Sequence, residues 1–360
     1  MAFPRRTEST GHAGARPRGR VHGGARSHPR IAAAVSIFCA AAAVTALSAS
    51  AIPAGAAATP ARAMARAGLQ SPASQHRSGL PWLSGAYLAS ETPKAASAFG
   101  AWRHRKLDAA VVWPREATWA ELTDPAWLYR RWKGSPYVMI LTLPMLPTGV
   151  RGVSLRACAN GAYTSHWRQF GRNIRASGLG TSIIRLGWEF NGKWFPWPAT
   201  NPRVWAQCWR RIVTAARSTA PALSWDWNVN RGVSSALANP AQAYPGNAYV
   251  NTVGIDSYDW WPAAITKGGW NEQLNGPQGL NYWLAFAKAH GKKLAVPEWG
   301  NARYGRSSGG DDPQYVKDMR AFFLANSRYL AFEAICQAAI GSYREGRLMP
   351  RAAAVYKTDF

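Results

Sequence analysis

Acidic residues are scarce in this 360-residue chain, with 18 Asp and Glu against 43 Lys and Arg, and the formal charge is +25. Such an excess would suit a nucleic-acid partner, but the bases are not arranged for one. Ten Arg and one Glu fall within residues 1–77, and the remaining +16 is spread over single basic residues with no run that tracks a phosphate backbone. No nucleic acid partner is expected, and weak electrostatic association with an anionic cell wall is what the charge supports. Cysteine and histidine are sparse too, at four and seven. H-E-x-x-H, C-x-x-C and a Gly-rich phosphate loop are missing, so no metal, nucleotide or other cofactor is expected. Cys158, Cys208 and Cys336 are too few for a disulfide scaffold or a zinc site. In an oxidising compartment Cys158 and Cys208 pair and leave one thiol over; otherwise all three stay buried and reduced.

Long uncharged runs are confined to one place. Seven Arg precede residue 31, residues 31–50 carry no charge, and small residues follow to Ala58. That order is the plan of a signal peptide with a long basic start, over residues 1–58, and it also takes Cys39 away with it. If it is not cleaved, a segment of this length anchors the chain in a membrane. The Ala, Arg, Ser, Pro and Gln of residues 59–78 cannot build a core and read as a disordered linker. The expected product is a secreted protein whose single domain spans residues 79–360.

In that domain, short β-rich runs alternate with longer amphipathic stretches, the pattern of a parallel α/β fold. Strands are predicted at 84–88, 107–113, 137–143, 182–186, 224–228, 253–257, 293–297 and 330–336. Helices are predicted at 93–103, 125–132, 155–177, 202–220, 279–290 and 313–327, several opening on Pro. The stretch after the fifth strand is short and rich in Pro and Gly, so one helix is expected to be reduced. Eight strands in about 280 residues fit a (β/α)8 TIM barrel, whose active site lies at the C-terminal strand ends. An open doubly wound sheet would bring a phosphate-binding Gly motif after its first strand, and Ala89-Ser-Glu-Thr-Pro93 is not one.

Two predicted strands end in a carboxylate beside aromatics: Arg185-Leu-Gly-Trp-Glu189-Phe-Asn191 on the fourth and Pro297-Glu298-Trp299 on the seventh. Taken alone, Arg185 and Glu189 also fit a plain salt bridge. Together, the two Glu face each other across a barrel mouth, as glycosidic bond cleavage requires. Arg185 reads as the floor of the site, holding Glu298 ionised. Nineteen Trp add weight, because sugar faces stack on indole. The strand-end set comprises Trp113, Trp188, Trp194, Trp197, Trp227, Trp260, Trp261 and Trp299, of which half are expected to touch ligand; the helical Trp102, Trp132, Trp167, Trp205, Trp209 and Trp283 read as core. Asn191 and Asn228 are further candidates for sugar hydroxyls, whereas Asp226, Asp256 and Asp259 read better as caps or ion pairs.

The string R-L-G-W-E-F-N-G-K-W-F-P-W at 185–197, with P-E-W-G at 297–300 and G-I-D-S-Y-D at 254–259, resembles glycoside hydrolase family 26. The resemblance implies a clan A barrel, β-mannanase-like, with Glu189 as acid/base, Glu298 as nucleophile and Tyr258 beside the nucleophile. With the strand-end residues read above, the expected sugar-binding surface comprises Arg185, Trp188, Asn191, Trp194, Trp197, Trp227, Tyr258, Trp260 and Trp299. Two departures stand out: Trp188 where these mannanases have His, and no Trp near the end of the eighth strand. The expected function is a retaining hydrolase of a β-linked polysaccharide, mannan first. Mixed-linkage glucan, xylan, a cell-wall glycan, or a barrel that binds carbohydrate without cleaving it are the alternatives.

Overall fold

The computed structural model describes residues 76–303, 305–336 and 348–360. The signal segment expected at 1–58 and all but the last three residues of the linker lie outside them. In chain order the elements are β1 (Leu83–Tyr87), α1 (Pro93–Trp102), β2 (Ala109–Val112), α2 (Trp119–Thr123), α3 (Ala126–Trp132), β3 (Val138–Leu143), α4 (Leu155–Ala159), α5 (Thr164–Ala176), β4 (Ile183–Leu186), α6 (Pro202–Arg217), β5 (Ser224–Asn230), β6 (Thr252–Asp259), α7 (Gly269–Asn275), α8 (Leu280–Ala289), β7 (Lys293–Asn301), α9 (Pro313–Ala325), β8 (Leu330–Cys336) and α10 (Pro350–Asp359). The strands pair in parallel in sequence order, and β8 returns to β1 to close the barrel.

Local chemistry explains where the helices begin. Thr92, Asn201 and Asp312 each accept a backbone N–H of the following turn, and each is followed by Pro, whose missing N–H costs nothing there. α2, too short to show as a period, is set by a capping box between Thr118 and Glu121. Asp311 accepts the N–H groups of Arg351 and Ala352 and so starts α10, which the sequence reading left unassigned along with α7. Between β5 and β6 only a short 3-10 turn at Pro240–Ala243 remains of the expected helix.

Alternation along the strands sorts side chains into two cores. Ala109, Val111, Ile140, Ile183, Ala295, Phe332 and Ala334 fill the barrel interior. A larger cluster lies between sheet and helices, fed by helix faces such as Trp167, Phe170 and Ile174 on α5 and Trp205, Cys208, Trp209 and Ile212 on α6. The two helices approach so closely that a Cβ on Gly171 would lie 2.5 Å from the Ala216 carbonyl. Cys158 on α4 and Cys208 on α6 form a disulfide across 50 residues, and Cys336 is a buried thiol outside it. Replacing both disulfide cysteines with Ala should cost about 2–4 kcal/mol. Urea unfolding of that variant, compared with wild type in the absence of reductant, measures this; an unchanged midpoint would show that helix packing alone carries the α4–α6 contact.

Candidate active site

The site is built where β4 and β7 leave the barrel. β4 ends in Gly187, whose φ of 57° and neighbours leave no room for a side chain: a Cβ would lie 2.7 Å from Met145. Two residues on, Glu189 itself has φ 49°. That conformation costs a non-Gly residue about 1–3 kcal/mol. It is held by the Glu189 N–H donating to the Asn228 carbonyl (3.1 Å) and the Gly192 N–H donating to the Glu189 carbonyl (3.0 Å). The bend turns the Glu189 carboxylate into the mouth, where the indole N–H of Trp194 donates to Oε2 at 2.7 Å. Gly192 is required beneath that indole, since a Cβ would meet the ring at 2.2 Å.

Glu298 arrives by a different device. Gly254 pairs with Ala295 and Ser257 with Trp299, so β7 carries one residue more than β6 over this span, and the β8 side shifts likewise. The extra residue is a bulge around Pro297, which has no N–H for a ladder. Strict alternation from Ala295 would send Glu298 toward the helices; the bulge re-aims it to the mouth and sends Trp299 outward instead.

Beneath both glutamates lies Arg185, fully buried. Its Nη1 donates to Glu298 Oε1 at 2.5 Å, its Nη2 pairs with Asp256, and Nε and Nη2 donate to Asn228 Oδ1 at 3.2 and 3.0 Å. Asn228 Nδ2 in turn donates to Asp256 at 3.0 Å. The other Glu298 oxygen accepts the Tyr258 hydroxyl at 2.6 Å. Burial raises the Tyr258 phenol well above its ordinary range, so it stays a donor. Burial first, and then the Glu298 carboxylate, push Glu189 up to about 7, against the opposing pull of Arg185 and the Trp194 N–H. The two carboxylates are thus electrostatically coupled neighbours with different partners. Glu298 is charge-compensated; Glu189 holds a proton near neutrality.

Several expected ligand contacts are structural. Asn191 is buried and exchanges both amide bonds with the backbone of Asn230, pinning the β4 loop to β5. Trp227 faces outward, packed among Phe190, Tyr244, Trp283 and Phe286. Trp299 packs on Phe323 and Phe360 and donates to Glu333 at 2.6 Å. Trp197 stacks on Phe195 and donates to the Trp188 carbonyl. Each of these three indoles is at most 1% exposed, which leaves no face for a sugar. Arg185 touches carboxylates rather than the open cleft. Trp188, 5% exposed, lies over its guanidinium at 5.7 Å. Tyr258 and Trp194 bond the two glutamates, Trp260 is half-buried in the turn after β6, and Trp194 and Trp261 are 51% and 57% exposed. The Trp260–Trp261 loop is clamped by Arg231, which donates to the carbonyls of Tyr258 (3.2 Å) and Trp260 (2.5 Å). Sequence reading passed over Arg231; its only signal was a lone base directly after a strand. Asp259 accepts the Ala264 N–H at 2.6 Å, a cap as expected.

The described residues thus form a closed (β/α)8 barrel with a glutamate at the exit of β4 and another near the end of β7. The model of glycosyl hydrolase family 26 matches residues 177–294, a span that holds Arg185, Glu189 and Tyr258 and stops short of Glu298. Similar solved structures include an endo-β-1,4-mannanase double mutant of Cellulomonas fimi (TM-score 0.56, 17% identity, 76% of this chain and 70% of that one). The catalytic domain of the Bacillus sp. JAMB-750 family 26 endo-β-1,4-mannanase is another (0.55, 17%, 78% and 87%), as is GH26A of Muricauda sp. MAR_2010_75 (0.52, 13%, 78% and 92%). At such identities the likeness is one of fold. No curated protein sequence matches the chain.

Asp226, below Arg185, accepts the Thr252 hydroxyl at 2.6 Å and leaves its other oxygen without a partner. Burial lifts it from 3.8 to about 7. The folded chain therefore holds a proton that the unfolded chain releases near pH 4, so the stability from this group is complete below about pH 4 and is lost as pH rises through about 7. Asp226→Asn should lose less stability than wild type between pH 4 and pH 8; urea melts across that range test this, and parallel curves would show that Asp226 does not titrate there.

Proposed function

We propose that this protein is a secreted, retaining glycoside hydrolase that cleaves a β-linked polysaccharide, with mannan as the first candidate. The observation that carries the reading is the unequal pair: Glu298 bonded by Arg185 and Tyr258, and Glu189 pushed up to about 7 beside it. In this reading Glu298 attacks the anomeric carbon while Glu189 donates its proton to the departing oxygen. The glycosyl–enzyme ester is then opened by water that gives its proton to Glu189. Arg185 and Tyr258 keep Glu298 oriented for the attack, and the sharp bend at Glu189 holds the acid on the opposite side of the bond. Mannan is supported by the family 26 match and by the mannanases among the similar structures, no further. Export is supported by the basic and apolar N-terminal segment and by a disulfide, which persists in oxidising compartments. Among the described residues no helix is long and apolar enough to cross a membrane.

The test is a panel of galactomannan, glucomannan, mixed-linkage glucan, xylan and arabinogalactan, assayed for reducing sugar with wild type, Glu189→Ala and Glu298→Ala. Wild type should release sugar from at least one. Glu298→Ala should be silent, and Glu189→Ala slower by about 10²–10⁴-fold, the usual worth of a general acid. Binding without release by wild type would instead identify a carbohydrate-binding barrel.

The pH profile is a separate check. With Glu189 at about 7, the rate should fall as pH rises above about 7, because the acid is lost. Trp194→Phe removes a donor that favours the carboxylate form, so the alkaline limb should move to higher pH. A limb that stays in place or moves down would exclude Glu189 as the group it reports.

A further inference from the structure

A second carboxylate network lies on the far side of the sheet from the cleft. On β8, Phe332 and Ala334 belong to the barrel interior, so Glu333 between them faces the helices. The Ser84 hydroxyl of β1 donates to its Oε1 at 2.5 Å, and the Trp299 indole N–H of β7 donates to its Oε2 at 2.6 Å. Arg103, at the end of α1, stands behind the first of these bonds. Its Nη1 donates at 2.9 Å both to Ser84 Oγ and to the Tyr356 hydroxyl of α10, while Nε and Nη2 donate to the carbonyls of Arg105 and Lys106. Glu333, Ser84, Arg103, Trp299 and Tyr356 are each at most 1% exposed, so a glycan in the cleft touches none of them.

An apolar side chain would fill the place of Glu333 with less penalty, because a carboxylate must shed its water to sit there. What the carboxylate adds is direction. Glu333 pairs with Val296 and Ile335 with Trp299, so β7 takes three steps where β8 takes two. This bulge is what puts Glu298 at the mouth and Trp299 on the helix side. In the competing arrangement, a β7 without the bulge, the two residues change faces: Glu298 would lie under the helices and Trp299 in the mouth. Phe323 and Phe360 pack on the indole, but apolar contact is non-directional. The bond to Glu333 is directional, since an indole turned into the mouth cannot reach a carboxylate on the outer face of β8.

We propose that Glu333 is a positioning residue for Glu298: by fixing the Trp299 indole on the outer face of β7, it holds the bulge in register and the Glu298 carboxylate against Arg185 and Tyr258. The proposal rests on the hydrolase reading of Glu189 and Glu298, and its structural half is testable without that reading.

Trp299→Phe keeps a ring and removes the N–H, whereas Glu333→Leu removes the acceptor. Each should lower kcat by about 10²-fold, the scale of a displacement of about 1 Å at a reacting group, with KM little changed. The double variant should lose no more than either single one, because both break the same bond. Glu333→Gln keeps an oxygen for the indole and should recover most of the rate. The pH profile separates positioning from loss of stability. The Glu298 charge helps to raise Glu189, so drawing it away should move the alkaline limb to lower pH in Trp299→Phe and Glu333→Leu. The variant with Cys158 and Cys208 both replaced by Ala, destabilised elsewhere, should keep the wild-type kcat and limb. Wild-type kcat and limb in Trp299→Phe, with stability lost, would overturn the proposal and leave Glu333 a packing residue. If Glu333→Leu does not fold, Trp299→Phe carries the test by itself. If wild type cleaves no glycan of the panel, the hydrolase reading fails, and the crystal structure of Trp299→Phe decides. Glu298 parted from Arg185 Nη1 upholds the positioning role, and the 2.5 Å contact retained overturns it.

Discussion

A single buried guanidinium organises the interior of this barrel. Arg185 has no contact with solvent, and stripping water from a charge costs several kcal/mol unless partners replace it. The replacements are Asn228 on the adjoining β5, Asp256 one strand further on β6, and Glu298 from across the mouth. That demand makes the β4–β6 side of the interior polar, whereas the sides formed by β1–β3 and β8 are filled by Ala, Val, Ile and Phe. It also explains Gly254, where a side chain would collide with Asp226 and Asn228. Glu298 is therefore a structural partner of Arg185 as well as the proposed nucleophile, so its position is over-determined before any ligand arrives.

The two glutamates show two ways in which regular structure is bent to expose a carboxylate. At Glu189 the backbone turns into the left-handed region, with Gly187 and Gly192 making room on either side. At Glu298 a strand gains a residue and side-chain polarity along it inverts. Both departures sit at strand ends, where ladder bonds are already running out and a local distortion disturbs the fewest neighbours. The outcome is a coupled pair in unlike surroundings, the arrangement that separates the roles of two otherwise identical groups.

Much of the fold was legible because its signals are local. Runs of β-branched and aromatic residues, Pro one step after Thr, Asn or Asp, and the α5 and α6 stripes need no distant partner to be read, and the eighth strand was predicted with the bounds it has. α10 escaped because its start depends on a tertiary contact, Asp311 reaching its first turn, and α7 because its seven residues open on Gly268 with no side-chain cap to mark them. The glutamates were legible as carboxylates abruptly ending apolar strands. What failed was the direction of the indoles. Counting two residues at a time along β7 carries no sign of a bulge, so Trp299 was placed in the cleft beside Glu298 when it lies on the far side of the sheet. Asn191 was misread for a related reason: an amide after a strand looks the same in sequence whether it meets a sugar or the next strand's backbone. The Cys158–Cys208 bond stayed open because two helices 50 residues apart had to be seen touching.

Net charge is a poor guide to what this cleft accepts. Of the formal +25, residues 1–77 hold ten Arg and one Glu, and the remaining +16 is scattered over single side chains of residues 78–360, a charge that would draw polyanions to the domain's exterior. The cleft itself is acidic: Glu189 and Glu298 lie at or just beyond strand ends, and Asp256 lies just below. The cation beneath them, Arg185, is fully buried and bonded to Asp256, Asn228 and Glu298. A polyanion would thus be attracted to the surface and repelled from the reacting centre. A neutral glycan meets no such conflict, since its hydroxyls both donate to carboxylates and accept from Tyr258 or an indole N–H. On the proposed hydrolase reading, this opposition of exterior and cleft charge fits a neutral polysaccharide better than a charged one.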